Sequence, residues 1–206
     1  DGFAAQLYVD RRGAPENTQL ACDTLAKINW ISRILRCSRK SQNKLYITEV
    51  NWPLEGTSPY APAVGDCMVS EHWQTTYLLR YYLLMMASGR VEKCYWHQLI
   101  APGYGLVDNL GSELRKRDAY YCFKTMTHLL KDAKTQDYQE HKKQYSLKFS
   151  SPKGSIKAVW GCDKSFLVDI KKHQYVYDLL GNALTPDSNK QVMASDQVIY
   201  ITNFKL

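Results

Sequence analysis

The chain has 206 residues, 45% of them hydrophobic, enough to bury a sizeable core in one or two domains. Its net charge of +7 and pI near 9.0 are a mild basic excess. The densest basic stretches (Arg33 to Lys44, Arg115-Lys116-Arg117, Lys131 to Lys148) lack the aromatic interleaving of a nucleic-acid surface and read as solvated faces. No apolar run is long enough to span a bilayer and no signal peptide is visible, so neither a membrane nor a nucleic acid is expected as partner.

Phe3 to Val9 reads as a strand, with Ala4, Gln6 and Tyr8 on one face. A loop through Arg11-Arg12-Gly13-Ala14-Pro15 follows. Asn17 or Thr18 is expected to cap a helix to about Arg36, buried along Leu25, Ile28, Ile31 and Leu35. After a polar break from Ser38 to Asn43, Leu45-Tyr46-Ile47-Thr48-Glu49-Val50-Asn51-Trp52 is a β-branched and aromatic strand with one acid near its end. Such an acid is costly to bury without a partner or a task.

The loop from Trp52 to Val69 is rich in proline and glycine and long enough to suggest function. Ser70 caps the next helix, which runs to about Ala87 and stops at Gly89. Val91 to Ile100 reads as a third strand. Ser112 is then expected to cap a helix to Leu130 with Leu114, Tyr121, Thr125 and Leu129 inward. The order β-α-β-α-β-α calls for a parallel sheet.

From about Gln144 the pattern alternates, with turn signals at Pro152-Lys153-Gly154, Gly161-Cys162-Asp163, Gly181-Asn182 and Pro186-Asp187, which predicts a small antiparallel β-sandwich. The expected division is 1–133 for the β/α units, 134–143 as linker and 144–206 for the β-domain. Six scattered cysteines without a CxxC read as reduced thiols, which suits a cytoplasmic setting, and no metal or cofactor is implied.

Three β/α units are too few to close a barrel of eight strands. Yet Ile47-Thr48-Glu49, then a long loop and helix, then Tyr95-Trp96-His97-Gln98-Leu99 and Pro102-Gly103-Tyr104-Gly105-Leu106, resembles the last third of a clan A glycoside hydrolase (β/α)8 TIM barrel. Val176-Tyr177-Asp178-Leu179-Leu180-Gly181-Asn182 with Val198-Ile199-Tyr200-Ile201 is similar to the β-domain that trails such barrels. Tyr8 to Glu16 and Thr48 to Pro53 resemble stretches of a bacterial group of glycosyl hydrolases that carries Tyr-Val-Asp-Arg-Arg-Gly-Ala-Pro-Glu and Thr-Glu-Val-Asn-Trp-Pro.

The resemblance implies a saccharide or polysaccharide substrate and a retaining mechanism, with Glu49 as catalytic nucleophile and Tyr8 as its hydrogen-bond donor. Leu45, Ile47 and Glu49 are expected to share one face, projecting Glu49 into the barrel mouth. Trp96 is placed as the floor of the sugar subsite, Trp52 as a second platform and Gln98 as a partner for sugar hydroxyls. Gln6 stands where many relatives have histidine. Arg11 and Arg12 read as a solvated pair within reach of an acidic sugar.

The family's acid/base follows its fourth strand, so the N-terminal part of the barrel is expected on a longer chain, and Glu16, Glu55 and Asp108 are not promoted to that role. The abrupt opening of the chain in a strand reads the same way, and these 206 residues alone are expected to be inactive. Two other readings stand beside this one: a non-catalytic carbohydrate-binding or scaffold protein with a degenerate barrel, and an unrelated α/β protein.

Overall fold

The computed structural model describes residues 2–38, 43–61 and 67–206. Most of the polar break after the first helix, and Pro62 and Gly65 of the long loop, lie outside them. The chain divides into two compact units, one up to Tyr120 and one from Tyr121. That boundary lies earlier than the linker expected at 134–143. Among the described residues no helix is long and apolar enough to cross a membrane.

In the first unit β1 (Phe3–Gln6), β2 (Leu45–Val50) and β3 (Val91–Trp96) form a parallel sheet in that order. Parallel neighbours need crossovers, and α1 (Thr24–Cys37) and α2 (Glu71–Ser88) supply them. The N-cap of α1 is Asp23, whose carboxylate accepts from the Ala26 amide at 2.7 Å. Asn17 and Thr18 precede it, and left-handed Leu20 and Ala21 bring the chain round. α2 matches its expected caps: Ser70 accepts from the Trp73 amide, and Gly89 closes the helix in the left-handed region at φ 58°. The core joins Ile28 and Leu35 of α1, Leu45, Ile47 and Val50 of β2, Trp52, and Tyr81 and Met85 of α2.

β3 stops at Trp96 rather than running on to Ile100, and a short hairpin follows, β4 (Val107–Asp108) with β5 (Arg115–Lys116). The next helix, α3 (Asp118–Leu130), therefore starts six residues after Ser112. Leu114 lies outside it and Tyr121 is exposed; Leu129 is buried as expected, together with Ala119, Cys122, Met126 and Leu130. The three-to-four spacing is real, but its phase differs from the one read out of the sequence.

The second unit holds a six-stranded antiparallel sheet in the order β11-β10-β13-β8-β7-β6 and a two-stranded sheet β12-β9. Its strands are β6 (Lys134–His141), β7 (Gln144–Ser151), β8 (Gly154–Gly161), β9 (Phe166–Asp169), β10 (Tyr175–Tyr177), β11 (Ala183–Leu184), β12 (Gln191–Ala194) and β13 (Ile199–Thr202). Val159, Ile170, Val176, Ala194, Ile199 and Ile201 form its core, with Phe166, Val168 and Val192 packed against it. The segment expected as a linker is β6, paired with β7 along its length. Lys142 and Lys143, at φ 48° and 63°, make the two-residue turn between them.

Candidate active site

β2 is the central strand of the parallel sheet, and Glu49 is its penultimate residue. Leu45 and Ile47 are fully buried with residues of the helices, so regular alternation would carry Glu49 under the helices as well. A bulge prevents this. Ala5 pairs with Ile47 but Gln6 pairs with Glu49, so β2 advances two residues while β1 advances one. Glu49 thereby leaves the face of Ile47 for the face of Gln6. The expectation that Leu45, Ile47 and Glu49 share a face is corrected by this one extra residue.

On that face two side chains meet the carboxylate. The Tyr8 hydroxyl donates to Oε1 of Glu49, and the Gln6 amide donates to Oε2 at 3.2 Å. Each oxygen therefore has its own donor, which fixes the plane of the carboxylate. Tyr8 is held in turn. Tyr81, fully buried on α2, donates to the Leu7 carbonyl at 2.6 Å, and the Arg12 guanidinium lies 3.4 Å from the centre of the Tyr8 ring.

Arg12 is not half of a solvated pair. It is half-buried, and burial lowers its pKa to about 10 against smaller upward pulls from Cys67 and Tyr81. Arg11 is exposed. Tyr8, Arg11, Arg12, Gln19, Pro53 and Cys67 line a cleft of about 360 Å³.

The other candidates separate. Trp52 has no exposed surface; its indole donates to the Gly13 carbonyl at 3.0 Å and its rings pack on Tyr77, Tyr81 and Trp96. A buried ring offers no face to a sugar, so Trp52 is core. Trp96 is half-buried, pairs with Val50, stacks on Trp52 at 6.0 Å between ring centres and donates to the Tyr104 carbonyl at 3.2 Å. Gln98 is exposed beyond the end of β3, after a cis peptide bond with His97.

Of the loop acids, Glu16 is buried in an ion pair with Arg80, Asp108 pairs with Arg115 and Arg117 at 3.0 and 3.1 Å, and Glu55 is exposed. Among the described residues no group of histidine, cysteine, aspartate or glutamate could hold a metal ion.

One supporting residue, Arg80, escaped the sequence reading, and another, Arg117, was expected on a solvated face but is buried. Arg80 stands inside the apolar run of α2, and a charge in such a run was itself the signal for a buried partner. Arg117, almost wholly buried, donates to the carbonyls of Ala101, Pro102 and Gly105. It thereby fixes the loop whose Tyr104 carbonyl receives the Trp96 indole.

No protein-family model matches the chain, and no curated protein matches it by sequence. Among solved structures it is similar to a family 39 glycoside hydrolase from the gut symbiont Bacteroides cellulosilyticus, with a TM-score of 0.75 at 16% identity over 98% of this chain and 44% of that one. A family 30 endoxylanase from Clostridium papyrosolvens aligns with a TM-score of 0.49 at 11% identity, over 77% of this chain and 41% of that one. The likeness to the family 39 structure is one of fold, and the chain spans less than half of that structure's length.

Proposed function

We propose that this chain is the nucleophile-bearing portion of a retaining glycoside hydrolase barrel, with Glu49 as the nucleophile. The observation that carries the reading is the Glu49 carboxylate at the end of the central parallel strand, with Tyr8 and Gln6 each donating to one of its oxygens. C-terminal strand ends are where barrel enzymes keep their chemistry. β1 and β3 are the outer strands of the sheet, so further barrel strands have free edges to join.

In the proposed reaction Glu49 attacks the anomeric carbon as the leaving-group oxygen takes a proton from a second carboxyl roughly 5 Å away. Water then cleaves the glycosyl ester. Glu16 and Asp108 are held in ion pairs, so the proton donor is assigned to a part of the barrel outside this chain. Gln6 keeps the carboxylate aligned, whereas Trp96, in register with Val50 and stacked on buried Trp52, lies on the other face of the sheet and is not assigned to the sugar subsite.

A 2-deoxy-2-fluoroglycoside inactivator tests the proposal on the longer protein. Glu49 is expected to carry the label in peptide mass spectra, and Glu49→Gln to lose at least about 10³-fold in turnover. Label on another residue, with Glu49→Gln fully active, refutes the assignment. Saccharide binding that survives Glu49→Ala in a protein with no turnover identifies a non-catalytic binding barrel instead.

A further inference from the structure

We propose that the groove between the β6–β7–β8 face and the open edge of β9 is a second saccharide-binding site, one that takes an acidic sugar. It is built wholly within the second unit, and its volume is about 400 Å³, inside the range of small-ligand pockets.

Strand register makes its floor. Gln139, Ser146 and Val159 pair across β6, β7 and β8 in one row, His141 and Gln144 pair in the next, and Lys157 pairs with Lys148 on the other side. The wall is β9, from Phe166 to Asp169. Among the described residues β9 pairs with β12 alone, so alternate residues turn their backbone N–H and C=O groups toward its open side. Phe166 and Val168 anchor that strand on the core.

The floor carries polar groups that the fold leaves unmet. Among the described residues the side chains of His141, Gln144, Ser146 and Lys157 have no hydrogen-bond partner, although Ser146 is buried and Lys157 is half-buried. These groups meet water in the open groove, and a ligand that bonds to several of them at once replaces that water with fixed partners. The Gln144 amide, the Ser146 hydroxyl and the His141 ring each offer a donor and an acceptor, as a sugar hydroxyl does. Val159 and Phe166 supply apolar surface for sugar C–H groups. A peptide strand added to β9 would bond to backbone along four residues and leave those side chains unmet.

Lys157 selects the charge. It has no ion-pair partner among the described residues. Burial is the main force lowering its pKa, followed by the positive charge of Lys148, while Asp137 pulls the other way and Lys171 adds to the lowering. Asp137 itself bonds to Lys148 at 3.1 Å, and Asp169, the acid on the wall, accepts from Gln191 at 2.8 Å. A sugar carboxylate would give the Lys157 ammonium the counter-ion it lacks.

The choice of a saccharide rests on the glycosidase reading, whereas the site itself rests on the groove. Titration calorimetry of the 206-residue chain with trigalacturonate, and with xylotriose as neutral counterpart, tests it. Trigalacturonate is expected to bind one to one and more tightly than xylotriose. Lys157→Met and Gln144→Ala should each weaken it about tenfold, Lys157→Arg should retain it, and Arg11→Ala, at an exposed cation of the first unit, should leave it within twofold. No binding of trigalacturonate, equal binding by Lys157→Met, tighter binding of xylotriose, or loss in Arg11→Ala each overturns the proposal. Circular dichroism of each variant separates lost binding from lost folding. Groove binding without Glu49 labelling in the longer protein ends the hydrolase reading alone; the reverse result ends the groove alone.

Discussion

Tyr8 serves two neighbours at once, with its hydroxyl on Glu49 and its ring under the Arg12 guanidinium. Tyr8→Phe keeps the ring and deletes one donor to the carboxylate. The expected outcome in the longer protein is a fall of about ten- to a hundredfold in the rate of Glu49 labelling, with the thermal midpoint little changed. Arg80 and Glu16 answer to stability instead. Their side chains are 0% and 4% exposed, so removing one partner strands a buried charge. Arg80→Met should cost about 3–5 kcal/mol in urea unfolding, and the double variant with Glu16→Gln should recover part of that loss.

Thiol chemistry differs between sites in the same way. Burial pushes Cys94 up to about 12, against a smaller lowering by Tyr82, whereas Cys37 is exposed. The thiolate is the reacting species. Iodoacetamide at pH 8 should therefore modify Cys37 within minutes and leave Cys94 unmodified until the chain is denatured, as peptide mapping would show.

At the scale of the element, most segments were legible because their periods are: β2 as a β-branched run, α2 by Ser70 and Gly89, and β7 by the alternation of Tyr145, Leu147 and Phe149. What was not legible has specific causes. The bulge in β2 depends on pairing with β1, and no residue of Ile47 to Val50 announces it. β6 is polar because its side chains are largely exposed, and its turn uses two lysines where glycine or asparagine would have signalled a hairpin. Helix α3 has the anticipated spacing but starts later, because residues 107–116 make a hairpin first.

The ion network at that hairpin has a pH signature. Hydrogen bonding from Arg115 is the leading cause that lowers the Glu71 pKa, against the upward effect of burial, and Arg117 adds to the lowering. A carboxylate depressed in the folded state contributes stability above its unfolded value, and that contribution fades as pH falls through the folded value. Glu71→Gln should therefore be less stable than the parent at pH 7, and the gap should close below pH 4.5, the ordinary value for this group. Thermal midpoints measured from pH 7 to 3 would show this; a gap that widens in acid contradicts it.

For the whole molecule, the succession β-α-β-α-β-α followed by alternating strands did foretell two unlike parts, because helix and strand periods differ so plainly. The pairing of β9 with β12 apart from the larger sheet was beyond reach, since both strands alternate like their neighbours. The parallel sheet raises the last question. An exposed sheet edge presents unpaired backbone groups, and proteins normally cover or charge such edges. Here β1 is an outer strand with Phe3 44% exposed, β3 is the other with Tyr95 49% exposed, and α1 shows Trp30 at 65%. Within a closed barrel all three would be covered by neighbouring units. The 206-residue chain by itself should thus self-associate: its weight-average mass in sedimentation equilibrium should rise with concentration, and Phe3→Lys together with Trp30→Glu should suppress the rise. A longer chain that completes the barrel should stay monodisperse over the same range. A 206-residue chain that is strictly monomeric and binds no hydrophobic dye would mean that these edges are stable in water, and would remove the support they give to the barrel reading.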